Sequence, residues 1–246
     1  MSVDLNSVLS SFQPISLEEM DSVKLMNRTD TKYIFNKSKL PSILESLKND
    51  YRCFFINGTR LSTYKTLYFD TEDFLLYRHH HNGILNRYKL RHRSYVESNL
   101  NFLEIKFKTN KDRTIKTRIK NKLEGNFDAQ ASQFIEKIMP YKALNLKPNV
   151  WINYQRITLV NIVNGERLTI DTGLEIINND KVLQLDKLVI AELKRGSKQF
   201  SPFIKLMRDL HIQPGGISKY CMALALTQSN LKTNNFKEKL LKLRKV

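Results

Sequence analysis

Residues 87–95 read RYKLRHRSY, with Arg87, Lys89, Arg91 and Arg93 at every second position. Alternate side chains of a strand leave opposite faces, so the four cations project together from one side. Like charges in a row repel, so this face is either a wet edge or the wall of an anion site. For a single strand the solvated face is the ordinary reading. The rest of the sequence has to decide.

Neighbouring stretches repeat the pattern. FLEIKFK (102–108) sets Glu104, Lys106 and Lys108 against Leu103, Ile105 and Phe107. RTIKTRI (113–119) pairs Lys116 with Arg118, and LVIAELKRG (188–196) puts Glu192 and Lys194 on one face with Ala191 and Leu193 opposite. Arg156 lies in NYQRITLV, and Asp171 ends RLTID. A closed barrel with a polar, positively charged lumen accounts for strands of this kind and leaves no free edge.

The composition agrees with an anionic partner. The chain has 246 residues, with 41 Lys and Arg against 24 Asp and Glu and a net charge of +17. Such basicity points to nucleic acid, anionic lipid or a phosphate-rich ligand. Cys53 and Cys221 have no metal-ligand spacing to another Cys or His, which argues against a disulfide framework and a zinc site. The N-terminus lacks a basic region followed by an apolar run, and no stretch reaches the roughly 20 apolar residues of a span. A soluble, cytoplasmic protein is expected.

Along the chain, residues 1–27 read as a helical lead-in broken at Pro14. TKYIF (31–35) reads as a strand. SKLPSILESLKNDY reads as an amphipathic helix with Ser38 as its cap and Pro41 in its first turn. Further strands are expected at 64–71, 84–96, 101–108, 113–119, 150–163, 166–171 and 187–194, with a hairpin turn at NGER (164–167). Helices are expected over TEDFLLYRHHHNG, closed by Gly83, and over 128–139, 200–211 and 218–229. The basic tail KEKLLKLRKV forms an amphipathic helix or frays. His79, His80 and His81 point in different directions on a helix, so they read as a C-terminus favourable to the dipole rather than a metal site. Roughly seven or eight strands with short turns make an α+β fold, an antiparallel sheet or barrel flanked by helices.

Glu104 and Glu192 could ligate a divalent cation alongside phosphate oxygens, since Mg²⁺ and Mn²⁺ accept a few carboxylates plus substrate phosphates. In PGGISKYCMALAL, Ser218 is placed to cap an apolar helix, and Lys219 in that first turn suits a bound anion.

Together these stretches resemble a known family. RTDTKYIF, YKTLYFDTEDFLLYRHHHNG, YKLRHRSY, FLEIKFK, RTIKTRI, NYQR, RLTIDTGLEI, VIAELKRG and SKYCMALAL follow one another in the order of the VTC domain, from about residue 24 to about residue 226. This is the catalytic domain of eukaryotic polyphosphate polymerases and of stand-alone bacterial relatives, within the CYTH or triphosphate tunnel metalloenzyme group. The resemblance implies an antiparallel, eight-stranded β-barrel tunnel with a basic lumen. It divides the chain into a lead-in (1–23), a tunnel domain (24–230) and a basic tail (231–246).

By the same resemblance, Arg91 and Arg93 grip substrate phosphates, joined by Lys106, Arg156 and Lys219 as catalytic cations. Lys32, Lys116 and Ser218 match further substrate contacts, with Lys89 and Lys194 beside them. Glu192 matches the metal carboxylate, with Glu104 as a second metal candidate and Mn²⁺ or Mg²⁺ as cofactor. The expected activity is metal-dependent phosphoryl transfer, as polyphosphate synthesis from ATP, with a triphosphatase or a non-catalytic sensor as alternatives. Hydrolysis would need a base, for which Glu104 and Asp171 are candidates. Expected partners are ATP or another triphosphate and polyphosphate, with no specific nucleic acid and a separate membrane partner left open. The sequence departs from the wider group in lacking an E-x-E-x-K signature near its start, and Ser94 stands where an aromatic follows the second arginine.

Overall fold

The computed structural model describes residues 4–22, 29–111, 113–122, 126–196, 200–216 and 218–246. Two short helices, α1 (Leu5–Ser10) and α2 (Leu17–Ser22), flank β1 (Pro14–Ile15). β2 (Thr29–Asn36) leads through a 3₁₀ turn into α3 (Leu40–Leu47). Pro41 sits in the first turn of α3 as expected, but the cap is not Ser38: the Asn36 side chain accepts from the Ser38 N–H and starts the 3₁₀ turn instead. Next come β3 (Arg52–Phe54), β4 (Ser62–Asp70), α4 (Leu75–His81), β5 (Arg87–Tyr95), β6 (Leu100–Lys108) and β7 (Thr114–Lys120). Helix α5 (Ala129–Ile138) precedes the long hairpin of β8 (Lys147–Asn161) and β9 (Glu166–Asn178). β10 (Lys181–Leu185), β11 (Leu188–Arg195), α6 (Pro202–Asp209), α7 (Lys219–Thr227) and α8 (Lys237–Arg244) complete the fold.

The main path of the sheet has the order β2-β11-β9-β8-β4-β5-β6-β7, with every neighbouring pair antiparallel. β10 extends β9 into a second hairpin, while β1 and β3 form a small annex on β8. β1 and β3 are not legible in the sequence pattern, since two or three residues cannot show alternation, and the five-residue β10 is not among the expected strands either. β9 also runs past the expected end at Asp171, because Gly173 (φ +57) lets the strand bulge and continue.

One expectation is corrected: the sheet does not close. Among the described residues no ladder joins β7 to β2, so the two ends of the path stay as edges. Closure would set the Lys116 and Arg118 row of β7 beside Lys32 with no anion between them. Instead, the β7 edge is guarded by exposed charges, and part of the β2 edge is covered by a loop whose Gly215 N–H donates to the Lys32 carbonyl at 2.8 Å.

Two apolar clusters cover the outer face. Leu90, Leu103 and Ile105 pack against Ala131 and Ile135 of α5. Tyr33, Phe35, Leu168, Ile170, Val189 and Leu193 pack against Ile43 and Leu44 of α3 and Phe203 of α6. Leu44 is fully buried, and truncating such a residue to Ala costs about 2–5 kcal/mol. A third cluster lies on the inner face, where Ile152, Leu174, Ile176 and Ile190 meet Tyr220, Cys221 and Met222 of α7. This face is therefore apolar at one end, sealed by α7, and charged beyond it. No described helix is long and apolar enough to cross a membrane.

Candidate active site

Strand register places the charged side chains. Directly opposed residues of an antiparallel ladder share a face. Lys89, Lys106 and Lys116 align across β5, β6 and β7, as do Arg91, Glu104 and Arg118. Tyr68 opposes Arg91, and Thr66 opposes Arg93. On the other wall Arg156 opposes Asp171, Glu192 opposes Lys32, and Lys194 opposes Asp30. Every strand-borne residue expected at the site falls on this one face. The bulge at Gly173 matters here: without it, Thr172 rather than Asp171 would face inward beside Arg156.

Helix α7 shows that the face is concave. From its first turn, Lys219 bonds Asp171 of β9, while the Ser218 hydroxyl accepts from Lys89 Nζ of β5 at 2.9 Å. Ser218 also caps the helix, as the sequence suggested, by accepting from the Cys221 N–H. One residue later Tyr220 stacks on Tyr68 of β4, with ring centroids 5.1 Å apart. A single helical turn that touches β4, β5 and β9 requires the sheet to curl around it.

The carboxylates on this face have different surroundings. Glu104 is 1% exposed; it accepts from Arg91 Nε at 2.8 Å and pairs through its other oxygen with Lys116 at 2.5 Å. Asp171 is held by Arg156 at 2.6 and 2.8 Å and by Lys219. Glu192 is more open, its nearest paired cation being Lys194 at 3.8 Å. Arg93 is only 5% exposed and has hydroxyls rather than an acid as partners, donating to Tyr154 Oη at 2.7 Å and Thr66 Oγ1 at 3.3 Å. Tyr64 and Tyr154 stack at 5.3 Å and lie beneath the Arg93 and Arg156 guanidiniums.

Proton affinities follow from this crowding. Burial pushes the Lys89 ammonium down to about 8, with Lys106 and Lys32 adding repulsion. Desolvation of its ammonium brings Lys116 to about 8, although Glu104 pulls the other way and 42% of the side chain stays exposed. Lys106 is lowered by the surrounding protein and by the charge of Lys32. Burial alone would raise Glu104, but Arg91, Arg93 and Lys116 outweigh it and bring the carboxyl to about 2. Glu192 falls to about 2 for the same reason, with Lys32 and Lys194 overriding burial. Asp171 is held well below the ordinary carboxylate range, as Arg156 and Lys219 overcome its burial. Burial would raise the Tyr68 phenol too, yet Arg91 and Arg93 bring it to about 8. Lysines lowered by burial beside carboxyls lowered by neighbouring cations describe a face with an excess of positive charge, suited to an anion.

The structure thus gathers Lys32, Lys89, Arg91, Arg93, Lys106, Lys116, Arg156, Lys194, Ser218 and Lys219 on and around one concave face. It adds residues that sequence reasoning missed. Tyr64, Thr66, Tyr68 and Tyr154 alternate with apolar neighbours and read as ordinary strand residues. Asp70 is fully buried, accepts from the Leu76 and Tyr77 N–H groups, and ties α4 to the Tyr220 hydroxyl of α7. Gly216 abuts Lys32 so closely that a Cβ would lie 2.6 Å from Lys32 Cβ. The histidine run does end α4, and within it burial and nearby cations bring His80 to about 2, so that imidazole is neutral and adds no charge to the helix end.

A divalent cation finds one fitting protein ligand here. Among the described residues no three His, Cys, Asp or Glu side chains converge. Glu192 suits an ion that takes one carboxylate and otherwise substrate phosphates and water. Glu104 is less open to a metal than Glu192, because Arg91 bonds one of its oxygens and Lys116 pairs with the other. By the same token Glu104 and Asp171 are poor candidates for a base, each being held by two cations.

Comparison with known proteins agrees with this geometry. No curated protein matches the chain. The similar solved structures include two described as proposed adenylate cyclases. The one from Vibrio parahaemolyticus has a TM-score of 0.50 at 13% identity, covering 81% of this chain and 99% of its own. The one from Bacillus halodurans has a TM-score of 0.51 at 12% identity, covering 83% and 100%. At such identity they establish a shared fold. The profile of the VTC domain matches residues 27–228, nearly the whole sheet together with α7, and the chain belongs to the VTC domain family.

Proposed function

We propose that this protein is a metal-dependent phosphotransferase that makes inorganic polyphosphate from ATP. The observation that carries the reading is Arg93: a buried guanidinium on the concave face, bonded only to hydroxyls among the described residues, and flanked by further cations. A buried charge without a counter-ion is costly, and a bound phosphate chain removes that cost.

Phosphoryl transfer asks little covalent work of a protein; it needs aligned oxygens and neutralised charge. Arg91, Arg93, Lys106, Arg156 and Lys219 would clamp phosphate oxygens, the arginines in bidentate fashion. Lys32, Lys89, Lys116, Lys194 and Ser218 would hold the remainder of the chain. Glu192 would hold Mn²⁺ or Mg²⁺, which when bound neutralises charge on bridging phosphate oxygens. A terminal phosphate oxygen of the growing chain attacks the γ-phosphorus, the bond to ADP breaks, and the departing oxygen keeps the electron pair.

Water as the acceptor, the triphosphatase alternative, is less well served. It needs a base to orient it, and both candidate carboxylates are tied into paired cations. An ionised phosphate acceptor needs none. Incubation of the pure protein with ATP and Mn²⁺, followed by electrophoresis that resolves chain lengths, is the test. A polyphosphate ladder is the expected result. ADP and free phosphate without a ladder would indicate a triphosphatase, and tight triphosphate binding without turnover a sensor; either outcome overturns the polymerase reading.

A further inference from the structure

The basic C-terminal helix is docked on the fold. Phe236, 3% exposed, wedges against Tyr77 and His81 of α4 just before α8. Leu240, Leu243 and Val246 pack on the inner apolar cluster. The Val246 carbonyl accepts from the Asn36 side chain at the end of β2. Held at both ends, α8 directs exposed lysines toward the rim of the concave face.

Lys242 Nζ lies 3.8 Å from where a Cβ on Gly215 would stand, next to the loop that bonds the Lys32 carbonyl. Lys239 Nζ sits 5.9 Å from the Phe236 ring centroid. Together with Lys89, Arg87 and Lys32, Lys239 suppresses protonation of His80 after burial has done most of that work, so these cations lie within electrostatic reach of one imidazole. Among the described residues neither Lys239 nor Lys242 forms an ion pair. An unbalanced cluster on a docked helix, continuous with Lys32 and Lys89, extends the inner cationic face outward.

We propose that Lys239 and Lys242 form an outer subsite for a linear polyphosphate chain, holding the phosphates that project past Lys89 and Lys32. The inference rests on the reading that the concave face binds a triphosphate. A flexible phosphate chain fits better than a nucleic acid, because the aromatic ring at this rim, Phe236, is buried and offers no stacking platform. The subsite makes affinity grow with chain length beyond three phosphates.

The test compares the wild-type chain with K239A/K242A in titrations with tripolyphosphate and with a chain of several tens of phosphates. The double variant should lose about tenfold in affinity for the long chain while tripolyphosphate affinity stays within about twofold. Loss of two phosphate contacts should also make the slope of log K against log salt shallower by roughly 1.4 for the long chain only. K239R/K242R should restore both values. Equal losses for both ligands, or no loss for either, overturn the subsite. So does single-stranded nucleic acid of matched charge that binds as tightly as polyphosphate and weakens equally in the double variant. Failure of the underlying reading looks different: the wild type would not bind tripolyphosphate, and Arg93→Ala would leave long-chain binding unchanged.

Discussion

The two walls of the concave face use their acids differently. On the β5–β6–β7 wall Glu104 is buried and braced between Arg91 and Lys116. On the β9–β11–β2 wall Glu192 keeps a 24% exposed side chain and stands 3.8 Å from Lys194. Both carboxyls are shifted to about 2, so proton affinity alone does not separate them; geometry does. Glu104 holds cations in place for the ligand, whereas Glu192 keeps an oxygen surface that a metal could reach. A carboxylate inside a cationic site is therefore a brace or a ligand according to how many of its lone pairs the protein already fills.

The largest effect should come from emptying the cation row. Arg93→Ala and Lys106→Ala should each weaken tripolyphosphate binding by about a hundredfold, since each removes charge-assisted hydrogen bonds worth about 1.5–3 kcal/mol apiece. Calorimetric titration measures this, and circular dichroism should show an intact fold. Unchanged affinity in both variants would remove the concave face as the binding site.

Exchanging the acids separates brace from ligand. Glu104→Gln leaves two cations facing each other and should destabilise the protein by about 3 kcal/mol, the low end of the usual range because Arg91 and Lys116 retain access to water. Glu192→Gln should leave thermal stability nearly unchanged and abolish stimulation of ATP turnover by Mn²⁺. The reverse pattern in a denaturation series would reverse the roles assigned to the two walls.

The response to pH sharpens the same contrast. Lys89 and Lys116 sit near 8 in the folded protein against an ordinary 10.5. Between those values these two groups bind more protons in the unfolded chain than in the folded one, so their contribution to the stability of the free protein rises with pH across that window. Anion affinity should fall over the same range as the ammonium charges are lost. Glu104 and Glu192 act at the other end: their stabilising contribution is present above about pH 4.5 and disappears as pH falls toward 2. A binding series from pH 7 to 10 should show tripolyphosphate affinity falling; affinity that rises with pH would contradict the assignment of these lysines.

The smallest effect concerns position rather than charge. Gly216→Ala should push Lys32 aside, because the new Cβ would meet the base of its side chain and not a mobile end. Tripolyphosphate affinity should fall by about threefold to tenfold with little change in folding. A crystal structure with Lys32 unmoved would show that the loop yields instead.

Much of this was legible in the sequence. The period-two cations of residues 87–95, and their counterparts in 102–108, 113–119 and 188–196, determined which residues share a face, because strand geometry leaves no other choice. The outer apolar positions followed from the same alternation. Local pattern could not supply the partners. Whether Glu104 braces or ligates depends on Lys116 and Arg91 arriving from two other strands. The inward turn of Asp171 depends on a bulge at Gly173, and the seam between β7 and β2 is set by elements far apart in the chain. His80 shows the limit from the other side, since composition marks it as polar while burial decides its charge. Sequence determined the faces of the strands; tertiary structure decided which charges on them are neutralised, because a counter-ion is chosen by distance in space and not along the chain.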